Sequence, residues 1–581
     1  MKNFILLIIC FTISLSLSAQ NNHAKMCIWN NGKYSNVWVA HVDSITFVEE
    51  SIQDIFGYSY TQANNGAICE YSSDNVIDNN VPNPKTGYTN TIDALCEMYN
   101  EIFAWQPVTS DDYHDSPMYI WESNYQAIIS ANQILGLIED SDSNADVEKA
   151  EALLIRAYHH FLLVNIFCHA WKNEYDSKQD LGIPYVYDVE YSMSMFKERS
   201  TVYDTYMAIQ TDLEEGLKLL SESHNSLPAT RFNSKAAHAF AARFYLYKRE
   251  WEKVIEHANQ VLTTNDDVTL AMLFDAQTNR DQSNIASAFN HYINPNAPSN
   301  LLVYNTYSTA PYAHFPTYGR YQYNGEAQDF TTYGAGPCWR SQFPGVSIWS
   351  ADQKLGGFVA KDYYWFEYVD TVNGFGYVRG VTRAFTTNET LLCRAEAKVH
   401  LYDIEGATND LRLWCQSYNV HGRMDTLANG NVNLTKDNIT SFYTSNTGTP
   451  FSPILHNQDI YRYWIITPEQ LPFVHCLLHF RRIETLHDGL RWHDLKRYGI
   501  EITHVQGKDA PRVLVWNDDR RAIQLPQEII NAGLLPNPRK VLGDNIEAST
   551  VSSINKRMGS PKNPTTQEIL KTISEYVFTI K

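Results

Sequence analysis

The sequence predicts an all-α fold of paired helices that carry long irregular insertions. Residues 148–171 repeat apolar side chains at alternating three- and four-residue steps, the spacing of one helix face. Two helical patterns within 237–262 are separated by a very short turn and approach the ~34-residue period of tetratricopeptide-type units. Polar, aromatic-rich stretches near 265–386 and 420–460 interrupt the helical patterns. Insertions of this length indicate that the helices form the scaffold and that the loops carry the functional residues.

The first residues are typical of a secretory signal, which we place at 1–19. Lys2 supplies the positive start, Phe4–Leu17 the apolar core, and Ser18-Ala19 the small residues before a cleavage point. The rest of the sequence contains no apolar run long enough to span a bilayer. We therefore expect an exported protein that is soluble or is held to a membrane by other means.

A short leader, residues 20–50, precedes the main domain, which we place at 55–581. Apolar stretches at 28–29, 37–39 and 45–47 predict short strands, and Asn-Asn-Gly-Lys at 30–33 is a hairpin turn signal. Residues 51–88 are polar and rich in Asn, which indicates an extended loop.

Helical patterns follow through most of the main domain. Apolar periodicity predicts helices at 92–105, 118–139, 148–171, 206–220, 237–247, 251–262, 388–402, 405–418 and 468–486. The pattern at 148–171 is apolar nearly all round, so we expect it to be the central helix, buried on several sides. Its Ala157, four residues before Phe161, is small enough to let another helix approach. Pro468 is expected in the first turn of the last helix, and 512–538 mixes short strands with proline turns.

The charge balance limits the partners. The formal net charge is −19 and the pI is about 5.4. Such a surface repels the phosphates of nucleic acids and anionic lipid headgroups. We therefore expect no nucleic-acid partner.

The nine cysteines form no Cys-x-x-Cys pair, so the sequence has no metal-ribbon or thioredoxin-like motif. Four of them lie within apolar helical patterns, where we expect buried thiols: Cys96, Cys168, Cys393 and Cys476. Disulfides are possible in an exported protein, but the sequence does not pair them.

Residues 481–497 are dense in charge and allow two interpretations. One is a site for an ionic ligand. The other is structural: Glu484, Arg491 and Asp494 pair with one another and with the backbone where the last helix meets the bundle. We favour the structural one, because buried charge survives only when it is paired.

His475 and His479 lie one helical turn apart, the spacing of two metal ligands. The residue after His475 is Cys476, however, and not the Glu that a His-Glu-x-x-His metalloprotease uses as its base. We therefore expect no metal ion and no cofactor.

Two pairs of acids, Glu326 with Asp329 and Asp518 with Asp519, are the candidates for glycoside cleavage, which needs two carboxylates across a sugar. Nothing else around them indicates catalysis. The sequence also has no nucleophile elbow and no phosphate-binding glycine loop. We expect a protein that is not an enzyme.

The strongest functional signal is aromatic. Between Tyr304 and Phe343 many aromatic rings alternate with Asn, Gln, Pro and Gly, and few residues are charged. Sugar rings have apolar faces that lie on aromatic planes, and hydroxyl groups that need polar partners. The alternative is that these rings pack the loop against the helices. As ligand-binding candidates we take six rings, two of which lie near the end of the first helix: Trp105, Tyr113, Tyr312, Tyr318, Tyr321 and Trp339.

Four sequence blocks, in this order and spacing, resemble the SusD/RagB family of Bacteroidetes. They are Ala152–Phe161 with Gly182-Ile183-Pro184; Thr387–Leu392 through Arg394–Ala397; Arg481–Glu484 through Gly489–Arg497; and Ile523–Glu528 followed by Asn537-Pro538. The resemblance covers roughly residues 90 to 540.

The resemblance implies an all-α fold of tetratricopeptide-like helix pairs with large irregular loop insertions. It also implies a location on the outer face of the outer membrane and a partner, a SusC-like TonB-dependent transporter that the protein covers as a lid. Family members bind glycans, or in some cases peptides, and are not enzymes. They are usually lipoproteins, but here Cys10 follows three bulky apolar residues. That is a poor lipobox, so contact with the transporter is the alternative means of attachment.

The leading hypothesis is therefore a non-catalytic lid that binds an oligosaccharide on loop aromatics and passes it to a transporter. Three alternatives remain open. They are a peptide-binding lid of the same kind, a helical-repeat scaffold without a small-molecule ligand, and a secreted glycosidase.

Overall fold

The computed structural model describes residues 25–30 and 33–38 by their backbone alone. It describes residues 60–109, 113–139, 145–187, 189, 198–310, 319–350 and 355–540 with their side chains, except that of Trp365. The predicted signal peptide and the strand predicted at 45–47 lie outside the described residues.

Helices dominate the described chain, which confirms the predicted mostly α-helical class. In chain order they are α1 (Asn65–Tyr71), α2 (Glu97–Phe103), α3 (Pro117–Glu139), α4 (Asp146–Phe167), α5 (Glu174–Ser177), α6 (Val202–Lys218), α7 (Ser234–Lys248), α8 (Trp251–Val261), α9 (Asp266–Met272), α10 (Ala276–Arg280), α11 (Ile285–Tyr292), α12 (Gly325–Asp329), α13 (Thr387–His400), α14 (Ile404–Ser417), α15 (Lys436–Ser445), α16 (Asn457–Tyr461), α17 (Leu471–Glu484), α18 (Leu490–Tyr498) and α19 (Gln527–Asn531).

The strands are short and pair in small antiparallel sheets. They are β1 (Lys25–Asn30), β2 (Lys33–Trp38), β3 (Ile77–Asp78), β4 (Asn300–Tyr307), β5 (Tyr321–Gln322), β6 (Ile348–Trp349), β7 (Phe358–Val359), β8 (Trp365–Asp370), β9 (Phe375–Thr386), β10 (Ile502–His504) and β11 (Arg512–Leu514). The sheet that matters for the candidate site has three strands in the order β4-β9-β8.

The leader forms the hairpin that its turn signal predicts. Strands β1 and β2 pair antiparallel, and Asn30 lies opposite Lys33 across the turn. The strand predicted at 37–39 corresponds to the end of β2, which reaches Trp38.

The central helix predicted at 148–171 is α4, and it ends earlier than predicted, at Phe167. Cys168 has an extended backbone, and Trp171 lies beyond the helix. The last carbonyl groups of α4 accept hydrogen bonds from the C-terminal part of the chain. Lys496 Nζ donates to the carbonyls of Asn165 at 2.7 Å and Cys168 at 2.6 Å. Because these partners are distant in sequence, local periodicity did not predict the correct end of the helix.

Helix α4 packs between α3 and α6, as a helix that is apolar on several faces must. Leu154 and Ala157 are fully buried. A Cβ at Gly216 of α6 would lie 3.0 Å from Leu154 and 3.2 Å from the carbonyl oxygen of Ala150. The glycine therefore allows the closest approach of the two helices, in addition to the small Ala157.

The predicted pair at 237–262 is α7 and α8, which pack against each other, as do α13 and α14. Helix α13 also contacts α7, α8 and α17, so the pairs form one stack. Polar side chains cap several of these helices. Asn233 accepts from the backbone of Ala236 at the start of α7, and Thr386 accepts from Glu389 at the start of α13.

Three sequence predictions of local structure are corrected. The loop predicted at 51–88 contains α1, capped by Asn64 and buried along most of its length. The last long helix begins at Leu471 rather than Pro468, and Pro472 lies in its first turn. The helix predicted at 92–105 is shorter, because residues before Glu97 are not helical.

The thiols follow the prediction, with one exception. Cys168, Cys393 and Cys476 are buried, and Cys96 is half-buried at the position before α2. Cys338 and Cys415 are also buried, with their sulfur atoms 3.7 Å apart. All seven described cysteine side chains are free thiols.

Within the part of the chain that the structure describes, no helix combines the length and the apolar character needed to cross a membrane.

Candidate functional site

An exposed aromatic face lies on the three-stranded sheet. In its register, Tyr307 of β4 is opposite Arg379 of β9, and Tyr377 of β9 is opposite Glu367 of β8. Side chains two residues apart on a strand share one face of a sheet. The four side chains therefore lie together on one side of the sheet.

These side chains contact one another directly. The guanidinium carbon of Arg379 lies 3.5 Å from the centre of the Tyr307 ring. Arg379 Nε donates to Glu367 Oε2 at 2.8 Å, and a terminal nitrogen lies 2.6 Å from the same oxygen. The rings of Tyr307 and Tyr377 meet edge to face at 5.5 Å. A charged hydrogen-bonded pair thus fixes the tyrosine rings in place.

Two further rings come from the segment that leads into α3. His114 stacks on Tyr307 with a centroid distance of 5.1 Å, and its edge meets Tyr119 at 4.8 Å. Partial burial lowers the pKa of His114, which favours the neutral imidazole. We call this set the tyrosine face; its members are His114, Tyr119, Tyr307, Glu367, Tyr377 and Arg379.

The tyrosine face is open to solvent towards the tip of the β8–β9 hairpin. Tyr377 is 49% exposed, and Phe375 next to the tip is 70% exposed. Tyr368 is also exposed, but it is opposite Gly376 and therefore lies on the other face of the sheet. Exposed aromatic rings such as Tyr377 and Phe375 on one face mark a candidate interaction site.

Asp115 ties together the two segments that frame this face. Its carboxylate accepts hydrogen bonds from the side chains of Ser308 and Thr309 and from the backbone N–H of Thr309 and Ala310, at 2.8–3.0 Å. The segment after His114 is thereby fixed to the end of β4, where segment 311–318 begins.

Three of the six predicted ligand-binding residues belong to these segments. Tyr113 is half-exposed and directly precedes His114. Tyr312 and Tyr318 are in segment 311–318, which lies outside the described residues. A ligand contact by any of the three stays a prediction.

Trp105 and Tyr321 come together in the interior instead. Phe103 stacks on Tyr321 at 4.3 Å and on His504 at 4.1 Å, and His504 stacks on Trp105 at 4.3 Å. Trp105 Nε1 donates to the carbonyl of Ser72 at 2.9 Å. The Tyr321 hydroxyl donates to Asn100 Oδ1 at 2.6 Å. Both rings are almost fully buried, so in this structure neither offers a face to a sugar.

Trp339 is also an interior residue, 3% exposed. Its Nε1 donates to the carbonyl of Gly334 at 2.9 Å, and its ring packs on Phe343 and Phe480. A Cβ at Gly336 would come within 2.2 Å of the indole, so this glycine makes room for the ring under the loop. For Trp105, Tyr321 and Trp339 the structure supports the alternative interpretation, packing of the loop against the helices.

Sequence reasoning missed most of the tyrosine face. Tyr307 was within the aromatic stretch, but Tyr377, Arg379 and Glu367 lie after it, and we assigned no strand there. The available signal was the alternation of Phe375, Tyr377 and Arg379 at every second position, a period typical of a strand with one exposed face.

The charged segment 481–497 is structural. Asp494 accepts from Arg481 at 2.8 Å and from Arg497 at 2.6 Å, and Arg497 also binds Glu396 at 2.6 Å. Burial alone raises the pKa of Asp494, but the two arginines lower it to about 2. The predicted structural role is confirmed.

The partners predicted for all three charges were wrong, since Asp494 pairs with Arg481 and Arg497 rather than with Glu484 or Arg491. Arg491 binds Asp74 at 2.8 Å, and Glu484 accepts from Trp414 Nε1 at 2.8 Å and from the Tyr418 hydroxyl at 2.9 Å. Asp74 precedes the segment by more than 400 positions, a contact that sequence spacing does not reveal.

Three other candidates for chemistry, His475, His479 and Asp518, have protein partners. His475 bonds the carbonyl of Pro453 at 3.1 Å, and His479 the Tyr443 hydroxyl at 2.9 Å. Asp518 accepts from the backbone and side chain of Arg520. In the described ranges, no three His, Cys, Asp or Glu side chains converge as a metal site.

A cavity of about 80 Å³ lies on the other side of the sheet, between β4, β9, α4 and α18. Thr306 and Gly380 line it, next to Tyr307 and Arg379 along their strands. Two of its charged residues are paired, Arg243 with Glu389 at 3.3 Å and Lys361 with Asp488 at 2.6 Å. Arg383 also lines the cavity, and its Nε is buried without a hydrogen-bond partner among the described residues. The cavity has room for several waters.

Residues 21–246 match a SusD-like family described as starch-binding and associating with the outer membrane. A comparison with curated proteins found no match.

Solved structures share the fold over most of the chain. A SusD superfamily protein from Bacteroides vulgatus is 16% identical, with a TM-score of 0.53 over 84% of this chain and 98% of its own. One from Bacteroides fragilis is 15% identical, with a TM-score of 0.53 over 84% and 97%. A SusD-like carbohydrate binding protein from Bacteroides vulgatus is 15% identical, with a TM-score of 0.50 over 84% and 95%.

The helical stack explains this similarity. Most of its paired helices are α3, α4, α6, α7 and α8. The matched residues 21–246 include all of these except α8 and the last two residues of α7. Residues 21–246 are thus similar in sequence to a SusD-like family, and solved SusD superfamily structures share the fold of the chain.

Proposed function

We propose that the chain is a non-catalytic glycan-binding protein that holds an oligosaccharide on the tyrosine face. The observation that carries this proposal is the pairing of exposed aromatic rings with a fixed polar group. Tyr377 offers ring surface to solvent, and Glu367 beside it is held by Arg379. Stacking and hydrogen bonding are the two interactions that a sugar requires. The family description, starch-binding, supports the same class of ligand.

The arrangement contains no pair of free carboxylates. Glu367, the acid on the tyrosine face, is bound to Arg379, and Asp115, which lies behind the face, is bound to the end of β4. Glycoside cleavage needs one acid to donate a proton and another to act as base or nucleophile. The face therefore supports binding rather than cleavage.

Affinity electrophoresis with a panel of neutral polysaccharides, soluble starch included, tests the proposal. We expect at least one of them to retard the wild-type protein, and Tyr307→Ala and Tyr377→Ala to abolish the retardation. Tyr463→Ala is the matched control, because Tyr463 is 78% exposed and lies outside the tyrosine face. Retardation that survives both face substitutions would place the glycan elsewhere, and binding of peptides alone would favour the peptide-binding alternative.

We further propose that the protein acts on the outer face of the outer membrane as the lid of a SusC-like TonB-dependent transporter. The family's association with the outer membrane supports this location. A lid that passes on its cargo must bind weakly enough to exchange it, which suits an open face better than a closed pocket.

Co-purification tests the partner. An affinity-tagged chain extracted from its own outer membranes in mild detergent is expected to bring down one large β-barrel transporter in equal amount. Isolation of the chain alone from intact membranes would favour the scaffold alternative. Release of reducing sugar from any glycan of the panel would contradict a purely binding role.

A further inference from the structure

The cavity behind the three-stranded sheet lies beside an open edge of β9. Strand β8 pairs with β9 only as far as Arg379, which is opposite Trp365. Beyond Arg379, β9 continues to Thr386 and pairs, among the described strands, with β4 alone. Residues 380–384 line the cavity. The edge of β9 that β8 does not cover therefore forms part of the cavity wall, and its backbone groups are available there.

Arg383 brings a positive charge to this wall. Its side chain forms no ion pair or hydrogen bond among the described residues, and its Nε is buried. The guanidinium carbon lies 5.2 Å from the centre of the Tyr292 ring. A buried donor without a partner costs free energy, and the planar guanidinium group matches the two oxygens of a carboxylate. Arg383 can therefore bind an anion that enters the cavity.

The charge of Lys361, which also lines the cavity, is only partly balanced. Its Nζ lies 2.6 Å from Asp488. Burial nevertheless lowers the pKa of Lys361 in spite of Asp488, and the charge of Arg383 lowers it further. Asp362 is a second acid of the lining, but no ion pair joins it to Arg383. A negatively charged ligand would thus stabilise both cations.

Two uncharged polar groups of the lining also have no hydrogen-bond partner among the described residues. They are the Thr306 hydroxyl and His493 Nδ1. Thr306 is 1% exposed and His493 is 9% exposed. A Cβ at Gly380 would lie 3.2 Å from Thr306 Oγ1, so the glycine keeps the hydroxyl open to the cavity. Buried polar groups in proteins are normally satisfied, which indicates that a ligand or water bonds them.

Helix α18 begins at the same cavity. Gly489 is its N-cap and Leu490 its first residue, and both line the cavity. Gly489 has no side chain to accept from the N–H groups of the first turn. These groups carry the partial positive charge of the helix, and such a helix start favours an anion.

The wall that α4 supplies is apolar. Leu162 and Ile166 line the cavity there, and they suit a ligand that also has carbon atoms. The volume of about 80 Å³ has room for about five to eight water-sized groups. Leu162, Thr382 and Arg383 are half-buried, so the cavity reaches the surface on this side.

We infer that this cavity binds a small organic carboxylate, of about four to six non-hydrogen atoms, whose carboxylate pairs with Arg383 and whose carbon chain packs on α4. The site is separate from the tyrosine face and lies on the opposite side of the β4–β9 pair. It does not depend on the proposed glycan binding.

Isothermal titration of the full chain with sodium propionate, propionamide and sodium sulfate tests the inference. Propionamide has nearly the shape of propionate without its charge, and sulfate has charge without a carbon chain. We expect the wild-type protein to bind propionate at least about tenfold more tightly than either of the other two, because a hydrogen bond to a charged group contributes more than a neutral one. This comparison requires no variant.

A variant locates the site. Arg383→Gln should weaken propionate binding at least about tenfold and leave propionamide binding within twofold of wild type. Arg340→Gln is the matched control, because Arg340 is exposed and is not part of the cavity lining. It makes the same change of charge and should leave both affinities unchanged. Urea unfolding of the two variants shows whether each is folded.

Several outcomes would overturn the inference. In the wild-type protein they are equal binding of propionate and propionamide, sulfate binding as tight as that of propionate, and no detectable binding of propionate, which would leave the cavity to water. Propionate binding that a folded Arg383→Gln retains would also overturn it. None of these outcomes bears on the glycan tests of the tyrosine face, which use other ligands and other variants.

Discussion

Two aromatic regions of this protein look alike in sequence and differ in what their polar atoms do. In the interior stack of Phe103, Trp105, Tyr321 and His504, the indole and hydroxyl groups are bonded to protein partners. On the tyrosine face, the Tyr377 hydroxyl and Glu367 Oε1 have no partner among the described residues. Buried polar groups must be satisfied within the protein, whereas exposed ones are available to a ligand. The comparison teaches that an aromatic cluster packs in the core when its polar atoms have hydrogen-bond partners in the protein. A cluster is available for a ligand when they have none, and the number of rings does not decide between the two.

The largest effect should come from the buried charges that support the interior. Asp494→Ala leaves Arg481 and Arg497 without their shared carboxylate, in a site where all three side chains are at most 3% exposed. Removing one member of a buried pair costs about 3–5 kcal/mol. Urea unfolding should show this loss in the free energy of unfolding. Glu405→Ala, an exposed acid, should change it by less than about 0.5 kcal/mol, and an Asp494→Ala loss below 1 kcal/mol would contradict the buried network.

Trp339→Ala tests the interior half of the comparison next. Because the ring is packed on Phe343 and Phe480, its removal should cost about 3 kcal/mol or more in unfolding free energy. Glycan affinity, measured well below the melting temperature, should stay within twofold of wild type. A stable Trp339→Ala protein that has lost glycan binding would make this ring a ligand contact after all.

Tyr377→Ala should show the opposite pattern. The ring is half exposed, so the free energy of unfolding should change by no more than about 0.5 kcal/mol. Glycan affinity should fall about tenfold, or about 1.4 kcal/mol. Titration calorimetry and urea unfolding of the same preparation separate the two effects. Equal affinity for wild type and Tyr377→Ala would move the binding surface away from this face.

A smaller effect is expected from acid. Burial, together with Arg482 and Arg491, lowers the pKa of His479 to about 3 in the folded protein, against about 6.5 when unfolded. Protonation of the unfolded chain below pH 6.5 therefore favours unfolding, and stability falls as the pH drops towards 3. This residue alone should cost about 1 kcal/mol between pH 7 and pH 5.5. In His479→Gln, the free energy of unfolding should fall by about 1 kcal/mol less between pH 7 and pH 5.5 than it does in the wild type. In Tyr377→Ala the loss over this pH range should equal that of the wild type. An unchanged slope in His479→Gln would contradict a neutral buried imidazole.

The helical scaffold was largely predictable, because its signal is local. The apolar periodicity of α3, α4, α7 and α8 reports burial directly. Contacts between distant segments were not predictable. Lys496 donates to the carbonyl of Asn165 in the last turn of α4, although the two residues are more than 300 positions apart. Arg491 binds Asp74, which lies more than 400 positions earlier. The spacing of residues in the sequence predicts neither contact.

The sequence predicted that the candidate site is aromatic, but it did not predict which rings are exposed. The aromatic stretch after Tyr304 correctly indicated an aromatic-rich insertion, but burial depends on how the loop folds back. Gly336 allows Trp339 to lie beneath it, and His504, far along the chain, completes the stack on Trp105. The exposed rings belong to a hairpin whose alternation was present in the sequence at Phe375, Tyr377 and Arg379. A search for period-two patterns within the insertion would have found it.

The most direct test of the account is a crystal structure of the protein with a bound neutral oligosaccharide, taken from whichever polysaccharide binds in the panel. We predict a sugar ring against Tyr377 and Tyr307, with a hydroxyl group within hydrogen-bond distance of Glu367 Oε1. A sugar bound instead to an opened stack of Trp105 and Tyr321, or beside Trp339, would contradict the assignment of these rings to the core and of ligand binding to the tyrosine face.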